Sequence, residues 1–249
     1  MSGQSRVLIG FFPTLNFLAT IRCGLVNNSI AALEEDMSDD GTAVAPLYFY
    51  PNRYARIILT SAREIVGENG VKALLNMGGM PEFIAEYPAA NMRKEFSFEN
   101  VSQLQQAFWD MYGARGAQVF ATRAGVQCFT DGLKQFGSVA KAGQLAMQVA
   151  SMEARITVGL KFFAKFFNQV SDQVSSVSED EDNWYWHLER CPMCYNRTAE
   201  KPVCHLAVGV LQGALAWASQ GRRFRVTPVQ CIAMGAEEGI IQIEKTPLE

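Results

Sequence analysis

The segment NWYWHLERCPMC, residues 183–194, begins with an alternating pattern and ends in a cysteine pair. It is the main indicator of the predicted architecture. In its first part Trp184, Trp186 and Leu188 fall on one face and more polar side chains on the other. A period of two is typical of a β-strand with one buried face. The Cys-x-x-Cys run that follows is typical of a tight, ligand-holding loop. We therefore predict a strand that ends in a cysteine loop.

Downstream of this loop, the sequence predicts one helix and two strands. The run VCHLAVGVLQGALAWAS, residues 203–219, has apolar residues at helical spacing and small residues that allow close packing. Residues 223–229 and 239–245 are predicted as strands. The order strand, loop, helix, strand, strand indicates an α+β fold rather than repeating βαβ units. We expect helices packed on a small antiparallel sheet.

Four of the six cysteines lie in this C-terminal part: Cys191, Cys194, Cys204 and Cys231. Clustered cysteines in a chain of this size favour a metal site in a reducing compartment over a disulfide framework. Four thiolates suit tetrahedral Zn²⁺ and leave no open coordination position, so the predicted zinc is structural. An iron–sulfur cluster and redox-active or unligated thiols remain alternatives. His205 could replace one thiolate, although packing on the helix is the more common role for such a histidine.

Upstream, the pattern is mainly helical. A helix is predicted from Asn52, with Gly67 and Gly70 ending it, and a second from an N-cap at Asn100 to a stop at Gly113. The other predicted elements are an extended piece at 43–50, a short helix at 81–87, a strand at 115–122, a helix at 125–136, a long amphipathic helix at 139–167 and a solvated linker at 171–182.

We divide the chain into three parts. Residues 1–42 form an N-terminal apolar segment and an acidic loop, 43–182 a mainly helical ligand-binding part, and 183–249 the cysteine module. The second and third parts are expected to form one domain. The uncharged stretch at 7–21 is too short, and too interrupted, for a transmembrane span. We expect a cytoplasmic protein.

The composition excludes several function classes. The formal net charge is −3 over 249 residues, so nucleic acid is not expected as a partner. The chain has two histidines, His187 and His205, which excludes a three-histidine metal site and leaves a Ser-His-Asp triad only these two positions. His187 is a candidate acid or base, although a strand histidine beside tryptophans is more often structural. Motifs for dinucleotide or phosphate binding, zinc proteases and serine hydrolases are absent.

Aromatic residues and methionines are abundant, with 16 Phe, 7 Tyr, 4 Trp and 10 Met. Such side chains usually fill a core, but they also line pockets for apolar ligands. The candidates for ligand contact are Phe108, Trp109, Met111, Tyr112 and Phe129.

The C-terminal third resembles the 4-vinyl reductase domain family. The shared features are Cys-Pro-x-Cys in ERCPMC, Cys-His before the Gly-x-x-x-Gly helix in PVCHLAVGVLQGALAWAS, and Cys-x-Ala-x-Gly in QCIAMG ahead of a final strand. Upstream, YGARGAQVFATRAGVQCFTDGL is similar to the Gly-Arg-Gly segment of predicted hydrocarbon-binding relatives. The resemblance covers residues 45–245, and its specific part follows residue 183.

This resemblance implies an α+β fold related to subunits of the transport protein particle and to haem-NO-binding domains. It also implies a homodimer with zinc at the cysteine site and a hydrophobic small molecule as partner. The chain departs from the family at Pro228, where an acidic residue is common, and at Gly239, where many members carry a cysteine. Cys191 and Cys194 restore the count to four, so we expect a re-sited but complete zinc cage.

Two functions from different classes follow. The first is a non-enzymatic protein that binds or senses a hydrophobic or aromatic small molecule and is stabilised by a structural zinc. The alternative is an enzyme or accessory protein acting on a vinyl-bearing tetrapyrrole in (bacterio)chlorophyll synthesis. The absence of a nucleotide or flavin motif favours the first.

Overall fold

Antiparallel strands and packed helices make up residues 47–137, 141 and 151–248, the part of the chain that the computed structural model describes. The strands are β1 (Phe49–Pro51), β2 (Lys94–Ser97), β3 (Val174–Glu179), β4 (Asn183–Arg190), β5 (Arg223–Gln230) and β6 (Gly239–Leu248). The helices are α1 (Asn52–Met77), α2 (Glu82–Ala85), α3 (Phe98–Gln135), α4 (Met152–Val170) and α5 (His205–Ala218), and a 3₁₀ turn covers Ile232–Met234.

The larger sheet has the strand order β3-β4-β6-β5, with all neighbouring pairs antiparallel, and β1 pairs with β2 in a small second sheet. The alternation predicted for residues 183–190 is present in β4, where Trp184, Trp186 and Leu188 are buried and His187 is partly exposed on the other face. The two strands and the helix predicted downstream are β5, β6 and α5. The α+β class predicted from the sequence is therefore confirmed.

Residues 115–122 are helical, which corrects the predicted strand. They belong to α3, which bends at Gly113, where φ is +66°. Ala117 and Ala121 are buried in this second half of the helix. Periodicity does not distinguish a strand from a helix in such a short apolar run. The small buried residues here allow the helix to pack closely against its neighbours.

Two predicted helix boundaries also move. The N-cap of α3 is Ser97 rather than Asn100, because the Ser97 hydroxyl accepts the Asn100 N–H at 3.1 Å. Helix α1 continues beyond Gly67, whose φ of +76° produces a kink, and it ends at Met77. Glycine at positive φ therefore bends both helices instead of ending them.

A strand replaces most of the linker predicted over residues 171–182. Strand β3 lies in this segment, and the Asp180 carboxylate accepts the N–H groups of Asp182 and Asn183 at 2.9 and 2.7 Å in the turn to β4. The strand shows no alternating hydrophobic pattern because it is serine-rich and acidic and Ser175 is its one buried residue. Strand β3 lies at the edge of the sheet, where a polar sequence is compatible with strand formation.

Some predictions fall outside the described residues, namely the N-terminal part at 1–42, positions 43–46 of the predicted extended piece, and positions 139, 140 and 142–150 of the predicted long helix. Residues 152–167 of that predicted helix belong to α4. None of the described helices combines the length and the hydrophobicity needed to cross a bilayer.

Helices α3 and α5 cross with their backbones in contact at Gly125 and Gly209. A Cβ atom added to Gly125 would overlap the carbonyl oxygen of Leu206, and one added to Gly209 would overlap the carbonyl oxygen of Thr122. Both glycines are buried. The close approach therefore requires glycine on each helix, and it fixes the position of α5 against the helical layer.

We expect Gly125→Ala to lower the free energy of unfolding by about 1–3 kcal/mol, because the added methyl group has no room to move into. Gly132→Ala, in the same helix, is the matched control: nothing lies within 4 Å of its added Cβ. Helix propensity predicts that the free energy of unfolding of Gly132→Ala is unchanged or up to about 1 kcal/mol higher than that of the wild type. Urea unfolding followed by circular dichroism measures both, and equal effects would contradict the crossing.

Candidate metal centre and ligand cavities

Four cysteine sulfurs meet in one buried cluster. The Sγ–Sγ distances are 3.2 Å for Cys194–Cys204, 3.5 Å for Cys194–Cys231, 3.6 Å for Cys191–Cys204 and 3.8 Å for Cys204–Cys231. Disulfides need about 2.0 Å, so the thiols are free. A tetrahedral ion with metal–sulfur bonds of about 2.3 Å places its sulfurs about 3.8 Å apart. The cluster is therefore compatible with a metal ion.

Three separate segments supply these four thiols. Cys191 and Cys194 follow β4 in a tight turn, in which the Cys194 N–H donates to the Cys191 carbonyl at 3.2 Å. Cys204 is the residue before α5, and Cys231 lies between β5 and the 3₁₀ turn. The ligand atoms of Cys191, Cys194 and Cys204 all lie within 4.8 Å of one another. His205 is not part of this group.

The cluster polarises its own thiols. Burial alone would raise the pKa of Cys191, but hydrogen bonds from the thiols of Cys194 and Cys204 and from backbone N–H groups hold it well below its usual value. Hydrogen bonding to Cys191 in turn raises the pKa of Cys204. Protein hydrogen bonds alone thus favour one thiolate here, and a divalent cation would favour all four.

Arg197 supports the cysteine loop from one side. Its guanidinium donates to the Met193 carbonyl at 3.0 Å and to the Gln106 side chain of α3 at 2.9 and 3.2 Å. Burial lowers its pKa, whereas the nearby thiols act in the opposite direction. A cation in this position partly balances the negative charge of a metal–thiolate centre.

The first of two adjacent apolar cavities lies among helices α1, α3, α4 and α5, and the second lies between helices and strand β4 of the larger sheet. Their free volumes are about 40 and 30 Å³, and Tyr54, Phe163, Phe167 and Val210 line both. The first is also lined by Cys128, Phe129, Gly132, Leu133, Phe136, Phe162, Phe166 and Trp217. The second is also lined by Tyr50, Gln173, Trp186, Leu188, Met193, Leu206, Ala207, Leu211 and Ala214.

The second cavity has a polar end. The Tyr50 hydroxyl donates to the Gln173 side-chain oxygen at 2.5 Å, and both residues are buried. The Gln173 amide nitrogen has a weak contact of 3.5 Å with the Ser175 hydroxyl. At this pair, a ligand could form hydrogen bonds with polar side-chain atoms of two residues.

The five residues predicted to contact a ligand lie in different places. Phe129 lines the first cavity, whereas Phe108, Trp109, Met111 and Tyr112 are not among the lining residues of either cavity. Phe108 is 1% exposed, and the other three are partly buried against the core. Sequence reasoning missed the phenylalanines of α4, although the run FFAKFF at 162–167 is visible in the sequence.

No protein-family model matches the chain, and no curated protein matches it. Solved structures do match. The H-NOX protein from S. oneidensis in the Fe(II)NO state has a TM-score of 0.50 at 12% identity, covering 78% of this chain and 99% of its own. A structure concerning haem redox potential and porphyrin distortion has a TM-score of 0.50 at 10% identity, covering 78% and 98%.

The phenol-responsive sensory domain of the transcription activator PoxR, with phenol, has a TM-score of 0.42 at 16% identity, covering 58% of this chain and 72% of that domain. The likeness to the H-NOX structure is one of fold. It agrees with the relation to haem-NO-binding domains that the resemblance implied.

We expect purified wild-type protein to carry one metal ion per chain and Cys194→Ser to lose most of it, because Cys194 has the shortest contact in the cluster. Cys128→Ser is the matched control, since Cys128 is also a buried free cysteine but lies in the first cavity. Elemental analysis by plasma mass spectrometry gives the stoichiometry. Full metal content in Cys194→Ser, or its loss in Cys128→Ser, would rule out this ligand set.

Proposed function

We propose that this protein binds or senses an uncharged hydrophobic or aromatic small molecule. The observation that carries this proposal is the wall of the first cavity, in which eight of twelve lining residues are aromatic. Such surfaces bind ring systems and alkyl chains through burial of apolar area. The H-NOX-like fold supports a binding role.

The ligand is neutral because nothing in either cavity compensates a charge. Neither lining contains Lys, Arg, His, Asp or Glu. Burial raises the pKa values of the Tyr50 and Tyr54 hydroxyls well above their usual value and that of the Cys128 thiol to about 12, so all three remain protonated at neutral pH. Burial of an unpaired charge in such surroundings costs on the order of several kcal/mol.

A haem, as studied in one matching structure, does not fit these cavities. The two histidines of the chain lie outside both linings, and no cationic side chain is present there to pair with carboxylates. The same residues argue against the alternative of a carboxylate-bearing tetrapyrrole substrate.

The ligand gains its space from the aromatic residues that separate the cavities. Phe163 and Phe167 belong to both linings, so a change in their rotamers joins the two spaces. A joined cavity holds an elongated ligand with its apolar body among the α4 phenylalanines. The Tyr50–Gln173 pair then meets one uncharged polar group at the other end.

The four cysteines hold a structural Zn²⁺ in this proposal. With four thiolates the ion has no position for substrate, so it stabilises the fold and activates no water. Free thiols and a thiolate-bound metal are typical of a reducing compartment, and we place the protein in the cytoplasm. A homodimer, which the family resemblance implies, completes the proposal.

Native mass spectrometry of freshly purified protein tests the function directly. We expect a mass increment from a neutral organic molecule in addition to one Zn²⁺ per chain, and a dimer as the main species. Denaturation releases the molecule for identification. A released tetrapyrrole would support the alternative instead, and a chain that binds no hydrophobic probe at any concentration would contradict the proposal.

The head-group preference can be measured with three probes that share one alkylbenzene body: the hydrocarbon, the 4-alkylphenol and the 4-alkylbenzoate. We expect the phenol to bind most tightly and the benzoate least. Tyr50→Phe should weaken phenol binding about two- to tenfold, since a hydrogen bond contributes about 0.5–1.5 kcal/mol net. The hydrocarbon should be unaffected.

Tyr48→Phe is the control for this series, because Tyr48 lies outside both linings and its ring packs against the Arg190 guanidinium at 3.9 Å. Isothermal titration or quenching of tryptophan fluorescence gives the affinities. Equal losses in Tyr50→Phe and Tyr48→Phe, or tightest binding of the benzoate, would contradict the neutral polar anchor.

A further inference from the structure

Three polar side chains form a hydrogen-bonded chain on the outer face of the larger sheet, away from the cavities. The Ser178 Oγ atom lies 2.7 Å from Nε2 of His187, and Nδ1 of His187 lies 3.2 Å from Oε2 of Glu238. A nucleophile in contact with a base, and a base oriented by a carboxylate, is the arrangement that activates a hydroxyl for attack.

One tautomer of His187 satisfies both contacts. A carboxylate only accepts hydrogen bonds, so Nδ1 carries the proton that is donated to Glu238. Nε2 is then unprotonated and accepts the hydrogen bond from the Ser178 hydroxyl. The imidazole is thus poised to remove a proton from Ser178, and Glu238 stabilises the imidazolium that results.

The sheet holds the three residues in register. Ser178 is opposite Tyr185 in the β3–β4 ladder, and Ser176 is opposite His187, so Ser178 and His187 are diagonal neighbours on one face. Glu238 precedes Gly239, the first residue of β6, which pairs with Leu188 of β4. The backbone positions of Ser178 and His187 are therefore fixed by the β3–β4 ladder, and Glu238 lies in the loop immediately before β6.

The three groups differ in exposure, and His187 is the least exposed of them. The Ser178 residue is exposed, the His187 side chain is 19% exposed and that of Glu238 is 35% exposed. The nucleophile therefore faces solvent, while the base is largely held in place by its neighbours. Partial burial strengthens the His187–Glu238 interaction relative to a fully exposed pair.

We propose that Ser178, His187 and Glu238 form a nucleophilic site that hydrolyses small esters. The three residues lie on an exposed sheet face outside both cavity linings, so the class is a short acyl ester with an accessible carbonyl. The nearby carboxylates, Glu189 on the same face of β4 and Glu237 beside Glu238, favour neutral esters over anionic ones.

In the first step an electron pair of Ser178 Oγ attacks the ester carbonyl carbon while the hydroxyl proton moves to Nε2 of His187. The tetrahedral intermediate collapses, and the leaving alcohol takes that proton from Nε2. Water then attacks the acyl group on Ser178 and passes one proton to Nε2. Release of the acid returns this proton to Oγ, so the site is regenerated without a further reactant.

A fluorophosphonate probe tests the site on the full chain. Oγ of Ser178 would displace fluoride from phosphorus, and peptide mapping by mass spectrometry locates the adduct. We expect labelling at Ser178 in wild type and none in Ser178→Ala. His187→Gln should lower the labelling rate at least about 100-fold, because a general base contributes about 10²–10⁴-fold. Hydrolysis of p-nitrophenyl acetate should fall in parallel.

Matched variants separate this activity from a structural role. Ser176→Ala removes an exposed serine of the same strand that lies opposite His187, and it should leave labelling unchanged. Glu238 acts as a positioning residue, so Glu238→Gln should slow labelling at least about tenfold and Glu238→Asp should restore part of the rate.

Circular dichroism and metal content verify that each variant is folded. An unlabelled Ser178 in folded wild type, or equal labelling of wild type and His187→Gln, would overturn the proposal. These residues lie outside both cavity linings, so the outcome is independent of the proposed ligand-binding function.

Discussion

The contact of α3 with α5 at Gly125 and Gly209 is the constraint on which the rest of the structure depends. With no side chain between the two backbones, α5 has one position against α3. That position places Cys204, at the start of α5, beside the cysteine loop. It also places Val210, the residue after Gly209, in the linings of both cavities. A side chain at either glycine would therefore displace the cluster and the cavities together.

The cysteine cluster and the second cavity share a loop. Met193 lies between two of the clustered cysteines and lines the cavity, and Leu206 lines it two residues after Cys204. Arg197 anchors the same loop to α3 through Gln106. The loop contains few buried apolar residues that could fix its conformation. A metal ion bound to the four thiolates would fix it instead.

Much of the C-terminal third could be predicted from the sequence because its signals are local. Alternation around Trp186 marks β4, and small residues at helical spacing mark α5. The four clustered cysteines were found by their proximity in sequence, and their sulfurs do lie together. Local patterns of this kind need no knowledge of a distant partner.

The rest could not be predicted because the deciding contacts are long-range. Residues 115–122 are apolar enough for a strand, but they are helical, and the partner that they approach at Thr122 is Gly209 of the distant helix α5. Strand β3 has one buried residue and therefore no hydrophobic pattern that would predict it. Its pairing with β4 is what makes it a strand. The cavity wall comes from α1, α3, α4 and α5, and only Phe129 of the predicted ligand contacts belongs to it.

The edges of the larger sheet limit how copies of this chain can associate. Edge strands with regular, apolar sequences recruit further strands. Here β3 offers serines and Glu179, and β5 carries Arg225 and Pro228, a residue that has no N–H to donate. Addition of a strand from a second copy is therefore disfavoured at both edges. In the described part of the chain, self-association through a surface other than these two edges is therefore favoured.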